Sequence, residues 1–458
     1  MLIGFSVSNY RSFKKRQDFS MAAGDSARHK DHVAVAGNRK LLKTALIFGA
    51  NAGGKSNFIK AVDFSRKIIL KGLEQASLDG RHFRIDSQMY YEPASFEYRM
   101  VIHQIEYCYG LVISYCEKTI LAEWLTKSDE NGNEICIFNR ETDEHGISHA
   151  ETEIEYENPD ENMRMKVYLA DFGEEISDSL KKKTILSDIA GRVNEKSSFF
   201  EDIVAVYDWF AGISVIFPDY QYILLDFMTA DKQIRDFFGG MMSLLDTGIE
   251  DIENQKQELE FEKVLQGFSP AEAEKFRIGI SNTDDKAYLI QINQKIYLFQ
   301  KGKNGELVYD KMMLNHGNQD DLFEYQDESD GTKRLFHLIP VLFKSTDRSM
   351  ILIDEIDRSL HTNLVRKFLQ SYFQIPAGKS CQLIATAHDS NLLDLDLFRQ
   401  DELWLVERRA DHSSKLYSLS RFREQAGGRI DKEYLIGRYG AVPVFQGSFF
   451  LREETNEE

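Results

Sequence analysis

The chain has 458 residues, a hydrophobic fraction of 42% and a formal net charge of −18. These values are typical of a globular protein with a sizeable core and about two to three domains. The acidic balance argues against broad, sequence-independent wrapping of nucleic acid, which requires many Lys and Arg on phosphates, although one local basic groove stays possible.

The expected compartment is a reducing cytoplasm. No run approaches the roughly 18 apolar residues of a membrane span, so we expect no membrane partner. The first residues lack the basic and apolar segments of a secretory signal. The four cysteines lack zinc-ligand spacing and are few for a disulfide framework; they are Cys108, Cys116, Cys136 and Cys381.

The first third reads as strands around one strand-to-helix unit. Residues 2–7 and 41–48 are short apolar runs, and residues 56–71 have apolar side chains at mostly helical spacing. Residues 96–115 alternate as antiparallel strands do, and Asn131-Gly132 predicts a hairpin turn.

The middle of the chain reads as mainly helical. Residues 141–162 are acidic and predict a solvated loop, and the pattern then turns helical to about residue 280. We predict a helix over 251–266, followed by the capping box of residues 269–272. Strands return over 288–309 with a turn at Asn304-Gly305, and the last third alternates strand and helix as a parallel sheet does. The tail, 452–458, is expected to fray.

A phosphate-binding loop follows the second apolar run. Its residues fit G-x-x-x-x-G-K-[ST] at every fixed position, between a predicted strand and a predicted helix. Backbone N–H groups of such a loop point at a phosphate, Lys55 reaches the β- and γ-phosphates, and the Ser56 hydroxyl ligates Mg²⁺. The alternative, a glycine-rich turn with a chance lysine, is disfavoured by this context. The loop consists of Gly49, Ala50, Asn51, Ala52, Gly53, Gly54, Lys55 and Ser56.

Two acids end a later apolar run, at Asp354 and Glu355. A buried parallel strand reads as such a run, and its carboxyl end is where an α/β sheet places ligands. Asp354 would hold Mg²⁺ through water, and Glu355 would orient or deprotonate the attacking water. Solvated acids at the end of a buried strand are the alternative, and the phosphate loop in the same chain favours the catalytic interpretation.

Two further features bear on the class. Ser329, Asp330 and Gly331 open an apolar helical run interrupted by Pro340, where either an anion site or a plain N-cap is possible. His388 ends another apolar strand and could donate a hydrogen bond to a γ-phosphate, although a lone histidine is more often structural.

The order of these motifs resembles that of ABC-type ATPase heads, including those of chromosome-maintenance and recombination-repair ATPases. The resemblance implies an α/β fold, a P-loop NTPase with a mixed sheet, an antiparallel β subdomain and a helical insertion. It divides the chain into an N-terminal part of the head (1–170), a mainly helical insertion (171–285) and a C-terminal part of the head (286–458). It assigns Ser329-Asp330-Gly331 to a degenerate signature, His388 to the switch histidine, and Arg11 and Asn57 to the nucleotide site. Glu328 departs from the apolar first signature position, and no Q-loop glutamine is assigned.

A closer resemblance covers nearly the whole chain. The segments MLIGFSVSNYRSFK, GANAGGKSN, DESDGTKRLFHLIP, ILIDEID, TAHDSNLLD and GRYGAVP look like bacterial AAA-type ATP-binding proteins of the RloA kind. Their relatives resemble ATPase halves of phage-defence and abortive-infection pairs. That resemblance implies a cytoplasmic ATPase using ATP and Mg²⁺, with Lys55, Glu355 and His388 catalytic, and a separate effector partner such as a nuclease.

The resemblance also implies a homodimer. Two ATP molecules would lie between two heads, with Ser329 and Gly331 of one chain facing the phosphate bound at Lys55 of the other. Hydrolysis would then open and close the dimer as a switch.

Three alternatives compete with this interpretation. A transporter ATPase subunit would lack the insertion, and a single-chain nuclease of the overcoming-lysogenization type needs more than the 70 residues that follow His388. A DNA-repair clamp should show a basic groove, for which residues 14–16 and 181–183 are the two short basic runs, and both are more often solvated surface.

Overall fold

The protein is described here by a computed structural model. The described residues are 1–129, 131–143, 145–174, 176–193, 199–218, 232–256, 273, 288–292, 295–301, 307–344, 350–374, 381–422 and 429–442.

Strands dominate the elements of these residues. The strands are β1 Leu2–Ser8, β2 Gln17–Ser20, β3 Val33–Ala36, β4 Arg39–Leu42, β5 Thr44–Phe48, β6 Ala94–Ile102, β7 Ile105–Ser114, β8 Thr119–Ser128, β9 Glu134–Thr142, β10 Ser148–Glu151, β11 Ile213–Ile216, β12 Asp251–Lys256, β13 Tyr288–Ile292, β14 Lys295–Lys301, β15 Leu307–Asn315, β16 Phe323–Glu324, β17 Met350–Ile353, β18 Gln382–Thr386, β19 Leu403–Arg408 and β20 Ser414–Ser418. The α-helices are α1 Lys55–Lys71, α2 Pro159–Ala170, α3 Ile185–Arg192, α4 Glu201–Ala211, α5 Lys232–Leu244, α6 Asp330–Lys344, α7 Thr362–Phe373 and α8 Ile430–Leu435.

A six-stranded sheet forms the centre, in the order β11-β17-β18-β5-β19-β20. The first five strands are parallel, and β20 pairs antiparallel with β19. Strand β5 is buried at every residue because alternate side chains enter two cores: Ala45 and Ile47 lie on one face, Leu46 and Phe48 on the other. Burial on both faces explains why the parallel strands read as continuous apolar runs.

An antiparallel sheet of seven strands covers one side, in the order β10-β9-β8-β7-β6-β1-β2. Helices α1, α3 and α4 share a single core with this sheet and with one face of the central sheet. Phe58 of α1 contacts both Phe5 and Phe19, at ring-centroid distances of 5.6 and 4.9 Å. This packing fixes α1, and therefore the loop before it, against the N-terminal strands.

The opposite face of the central sheet carries helices α5, α6, α7 and α8 in a second core. A third sheet, β12-β15-β14-β13 with β16 beside β15, adjoins this core through Ile252, Met312 and Leu314. The expected fold class, an α/β ABC-type head with a mixed sheet and an antiparallel β subdomain, is confirmed by this arrangement. Within the described residues, no helix has the length and apolar character needed to cross a membrane.

The predicted helix over 251–266 is wrong at its start. Residues Asp251–Lys256 form strand β12, which pairs antiparallel with β15 from Asp251 opposite Asn315 to Lys256 opposite Asp310. The pairing partner lies about sixty residues away, so local helical composition was overridden by a non-local contact. Residues 257–266, the capping box at 269–272, the turn at 304–305 and the tail at 452–458 lie outside the described residues.

Several local predictions are confirmed. Asn131-Gly132 lies in the β8–β9 hairpin, where Gly132 has a φ of 85° and its N–H donates to the Asp129 carbonyl at 3.1 Å. The strands expected over 288–309 form β13, β14 and the start of β15. Residues 171–285 contain helices α3, α4 and α5 but also β11, which pairs with β17 in the central sheet. The three-part division of the chain stays a prediction.

Candidate active site

The phosphate loop connects β5 to α1 at the carboxyl edge of the central sheet. Gly54 has a φ of 115° and caps α1. A Cβ at Gly54 would lie 2.2 Å from Ser414 Oγ, and a Cβ at Gly49 would lie 2.2 Å from the Val406 carbonyl oxygen. Both positions therefore require glycine, because the loop passes too close to β19 and β20 for a side chain.

Lys55 is buried at the first residue of α1, with 4% of its surface exposed. Its Nζ donates to the carbonyls of Gly49 at 2.6 Å and Ala50 at 3.3 Å. Burial lowers the pKa of Lys55 to about 8, and the carboxylates of Asp357, Glu355 and Asp354 partly oppose this shift. The ammonium is thus held inside the loop, where a phosphate would supply the negative charge that carbonyls provide only in part.

Two serines from distant segments brace the loop. Ser414 Oγ, at the start of β20, donates to the Gly53 carbonyl at 2.6 Å, and Ser414 N donates to the Ser12 carbonyl at 2.7 Å. Ser12 Oγ accepts from Asn57 Nδ2 at 2.8 Å. The sequence analysis did not identify either serine, because neither belongs to the phosphate-loop motif. The one available indication was that Ser12 follows Arg11, which was assigned to the nucleotide site.

The two acids after β17 are held by one hydroxyl. Thr386, the last residue of β18, donates through Oγ1 to Asp354 Oδ1 at 2.7 Å and accepts the N–H of Glu355 at 2.8 Å. Asp354 is 2% exposed. Glu355 has a φ of 51°, a left-handed conformation that a non-glycine residue adopts only at some energetic cost. The Glu355 side chain lines the same cleft as the phosphate loop.

Glu355 and His388 face the phosphate loop across a cleft of about 520 Å³. His388 Nε2 lies 3.5 Å from Glu355 Oε1, and Arg358 Nη1 lies 3.8 Å from Glu355 Oε2. The Glu355 and His388 side chains are both partly exposed, so each can reach a ligand in the cleft. Asp357 Oδ2 accepts the backbone N–H groups of His388 at 2.7 Å and Asp389 at 2.6 Å, which fixes the histidine turn against the carboxylate turn.

Arg334 of α6 supports the carboxylate turn from behind. It is 5% exposed, and its Nη2 donates to the carbonyls of Asp354 at 2.9 Å and Glu355 at 3.0 Å. Burial, reinforced by Arg358, lowers the pKa of Arg334 to about 10. Arg334 therefore joins the signature helix to the candidate catalytic acid, a connection that the sequence motifs did not indicate.

The degenerate signature is not part of the cleft of its own chain. Ser329 caps α6, accepting the Thr332 N–H at 3.1 Å, as the N-cap alternative predicted. A Cβ at Gly331 would lie 2.8 Å from the Ser359 carbonyl oxygen, so the signature packs against the turn after Glu355. Glu328, which departs from the usual apolar residue, is 9% exposed, and its carboxylate lies 2.7 Å from His316 Nε2.

The structure brings together most of the predicted nucleotide and catalytic residues. The cleft is lined by Ala50, Asn51, Ala52, Gly53, Gly54, Lys55, Ser56, Asn57, Glu355 and His388. Arg11 is not among them; its N–H donates to the Arg81 carbonyl at 2.6 Å and its Nε to Tyr10 Oη at 3.4 Å. The Ser56 hydroxyl and the Asp354 carboxylate are oxygen ligands of the kind that Mg²⁺ prefers. Ser56 lines the cleft, whereas Asp354 is not among its lining residues.

One protein-family model matches part of the chain. Residues 170–394 match the family model described as "AAA domain, putative AbiEii toxin, Type IV TA system". The matched segment contains Ser329-Asp330-Gly331, the two acids and His388, and it begins after the phosphate loop. The match and the site together support an AAA-type ATPase domain with the motif order of an ABC head. No curated protein matches the chain.

Two solved structures are similar to the chain at low identity. One is described as "Crystal structure of the SmcHead bound to the C-winged helix domain of ScpA", with a TM-score of 0.42, 14% identity, and coverage of 91% of this chain and 97% of that chain. The other is "SMC head domain from Thermotoga maritima", with a TM-score of 0.36, 12% identity, and coverage of 91% and 98%.

Proposed function

We propose that this chain hydrolyses ATP to ADP and phosphate. The observation that carries the proposal is the cleft in which the phosphate loop faces Glu355 and His388, two side chains from the turns that follow β17 and β18. The loop N–H groups and Lys55 bind the phosphates, and Ser56 and Asp354 would hold Mg²⁺, which supplies charge neutralisation at the phosphates. Glu355 accepts a proton from the attacking water, and His388 donates a hydrogen bond to the γ-phosphate.

We propose further that the active form is a homodimer closed by ATP. Ser329 is exposed and does not line the cleft of its own chain. A single chain therefore does not place Ser329 or Gly331 beside the γ-phosphate of an ATP bound in that cleft. A second chain could place its Ser329 and Gly331 there. ATP binds between two chains in this arrangement whereas ADP makes fewer contacts, so hydrolysis would change the dimer population.

Steady-state hydrolysis and mass by light scattering test both statements. Glu355→Gln should abolish turnover and hold a dimer in saturating ATP and Mg²⁺, and Lys55→Ala should abolish binding. Glu117→Gln, an exposed acid in the β7–β8 turn, is the matched control and should behave as wild type. A monomeric Glu355→Gln protein in saturating ATP and Mg²⁺ would refute the dimer, and undiminished turnover would refute the role of Glu355.

We propose an anti-phage role with a separate effector, such as a nuclease. The family description names a toxin and a toxin–antitoxin system, and this supports a defence setting for the chain. The repair-clamp alternative predicts strong stimulation of hydrolysis by double-stranded DNA. The basic runs weigh against it: Lys14 pairs with Asp86 at 2.9 Å, and Lys183 pairs with Asp188 at 2.6 Å.

Hydrolysis measured with and without double-stranded DNA separates the two roles. We expect no stimulation by DNA and a large increase when the proposed effector is added. Stimulation by DNA alone would favour the clamp.

A further inference from the structure

We propose that His316 is a positioning residue for the signature, Ser329-Asp330-Gly331, and that it acts through the carboxylate of Glu328. The inference rests on the proposed dimer, in which the signature of one chain completes the ATP cleft of the other. It assigns His316 to hydrolysis in the cleft of the second chain, although His316 does not line the cleft of its own chain.

Glu328 is a buried acid that directly precedes the signature, and it needs a hydrogen-bond donor. Its side chain is 6% exposed, and a buried carboxylate is costly unless it is paired. Within the described residues, the one side chain paired with it is that of His316, whose Nε2 lies 2.7 Å from Glu328 Oε1. With Glu328 ionised, His316 Nε2 donates. Without the imidazole, the carboxylate would reach water only if the segment before the signature moved.

The donor is fixed by the third sheet. His316 follows Asn315, the last residue of β15, which is 5% exposed. The Asn315 carbonyl accepts the Glu250 N–H at 2.8 Å, and its Oδ1 accepts the Gly317 N–H at 2.7 Å. Asn315 Nδ2 donates to Glu253 Oε1 of β12 at 3.0 Å. These bonds hold the turn that carries the imidazole against β12 and the residues before it.

The imidazole itself is packed on two sides. Gly248 has a φ of 78°, and a Cβ there would lie 3.3 Å from His316 Nδ1, so the ring lies close to the main chain before β12. The ring of Phe323, in β16, has its centroid 4.7 Å from that of His316. The ring therefore presents its Nε2 to Glu328 from a fixed place in the third sheet.

The acid is equally well anchored on the signature side. The Glu328 N–H donates to the Tyr325 carbonyl at 3.3 Å, and the Tyr325 ring packs against Phe336 of α6 with centroids 5.2 Å apart. Ser329, the next residue, accepts the Thr332 N–H and begins α6. A displaced Glu328 therefore displaces Ser329, and the contact with His316 connects the third sheet to the signature.

Hydrolysis by His316→Ala tests the inference. We expect kcat to fall about tenfold because a buried acid is left unpaired beside the signature. The affinity for ADP and Mg²⁺, measured by equilibrium titration, should change less than about twofold because the cleft of the same chain is intact. His149→Ala removes an exposed histidine of β10 and is the matched control, with wild-type kcat.

Removing the acid as well should rescue the variant. His316→Ala/Glu328→Leu contains no buried carboxylate at this position, so we expect its kcat to return to within about threefold of wild type. Wild-type kcat in His316→Ala, or a double variant as slow as the single variant, would overturn the role of the pair.

Mixing with Lys55→Ala shows in which cleft the defect acts. In a mixed dimer, the His316→Ala chain binds ATP at its own Lys55 and receives the intact signature of the other chain. An equimolar mixture should recover about a quarter of wild-type hydrolysis, whereas a defect in the cleft of the variant chain would leave about one twentieth.

The mixture of Ser329→Arg with Lys55→Ala, measured in parallel, tests the dimer itself. Recovery there but not with His316→Ala would overturn this inference and leave the proposed function standing. Recovery in neither mixture would overturn the dimer and this inference with it.

Phe323→Ala decides the question if the His316→Ala protein does not fold. Phe323 is 43% exposed, so its truncation leaves the cores intact while the imidazole loses one of its two packing surfaces. We expect kcat to fall about threefold, with the affinity for ADP unchanged. Wild-type kcat in Phe323→Ala would then overturn the inference.

Discussion

The hydroxyl of Thr386 holds both candidate acids, accepting from Glu355 N and donating to Asp354 Oδ1. Thr386→Val removes the hydroxyl at nearly constant volume. We expect kcat to fall about ten- to a hundredfold because the acids lose their fixed placement, with folding retained. Steady-state hydrolysis and circular dichroism measure the two effects.

Thr44, on the strand next to that of Thr386, is the matched control for Thr386→Val. Thr44 of β5 is also fully buried, and its Oγ1 has no hydrogen-bond partner within the described residues. Thr44→Val should leave kcat unchanged and leave stability equal or slightly higher. Equal losses in both variants would assign the effect to packing rather than to placement of the acids.

Burial lowers the pKa of the Lys55 amine from 10.5 to about 8. Since phosphate binding needs the ammonium, ATP affinity should be level below pH 8 and fall by about tenfold per pH unit above it. Nucleotide titrations from pH 7 to 9.5 measure this. Lys55→Arg does not titrate in this range and should show a level profile; a level profile in the wild type would contradict the prediction.

The lowered pKa of Lys55 also makes the free energy of unfolding depend on pH. Between pH 8 and 10.5 the unfolded chain holds the Lys55 proton and the folded chain does not. Unfolding therefore takes up a proton, and the contribution of Lys55 to the free energy of unfolding rises with pH across that interval.

The sequence predicted the residues of the motifs but not the residues that hold them in place. Lys55, Glu355 and His388 were predicted because motif spacing and strand ends identify them. Ser12, Ser414 and Thr386 were not predicted, because each acts on a residue that is distant in sequence. Ser414, for example, holds the Gly53 carbonyl from β20, and only the sheet order brings the two together.

At the scale of elements, Arg334 connects helix α6 to the turn after β17. Arg334→Gln leaves the Asp354 and Glu355 carbonyls without their charged donor. We expect the free energy of unfolding to fall by about 1.5–3 kcal/mol and kcat to fall while the KM for ATP changes less than about twofold. Urea denaturation and steady-state kinetics measure these quantities.

Lys333 is the matched control, because it precedes Arg334 on the same helix and its Nζ donates to the Gln326 carbonyl away from the acids. Lys333→Gln should preserve kcat. An Arg334→Gln protein with normal kcat would contradict the positioning role, whatever its stability.

Element prediction succeeded where burial imposes a pattern. The apolar runs at β5, β17 and β18 were identified because strands buried on both faces carry few polar residues. Residues 251–256 failed because the sequence DIENQK is polar and gives no alternation that distinguishes strand from helix. Its strand conformation depends on pairing with β15.

At the scale of the whole molecule, the proposed dimer predicts complementation between two inactive proteins. Lys55→Ala lacks the phosphate lysine, and Ser329→Arg places a bulky cation at an exposed signature position. A mixed dimer pairs the intact Lys55 of one chain with the intact Ser329 of the other. If sites act independently, an equimolar mixture should recover about a quarter of wild-type hydrolysis.

Each variant alone should be inactive, and mixing Lys55→Ala with Glu355→Gln provides the control. Both of those lesions lie in the same cleft, so every site in that mixed dimer retains at least one defect. Recovery in the control mixture, or none in the test mixture despite proven dimer formation, would contradict a site shared between chains.

The position of β5 in the central sheet has a consequence for synthesis of the protein. Both strands that flank β5, β18 and β19, begin more than 330 residues later in the chain. At about 5–20 residues per second, a ribosome makes β5 roughly 17–70 seconds before it makes either neighbour. The phosphate loop therefore cannot be held between both neighbours of β5 until β18 and β19 have been made, and we expect capture of ATP to await their synthesis.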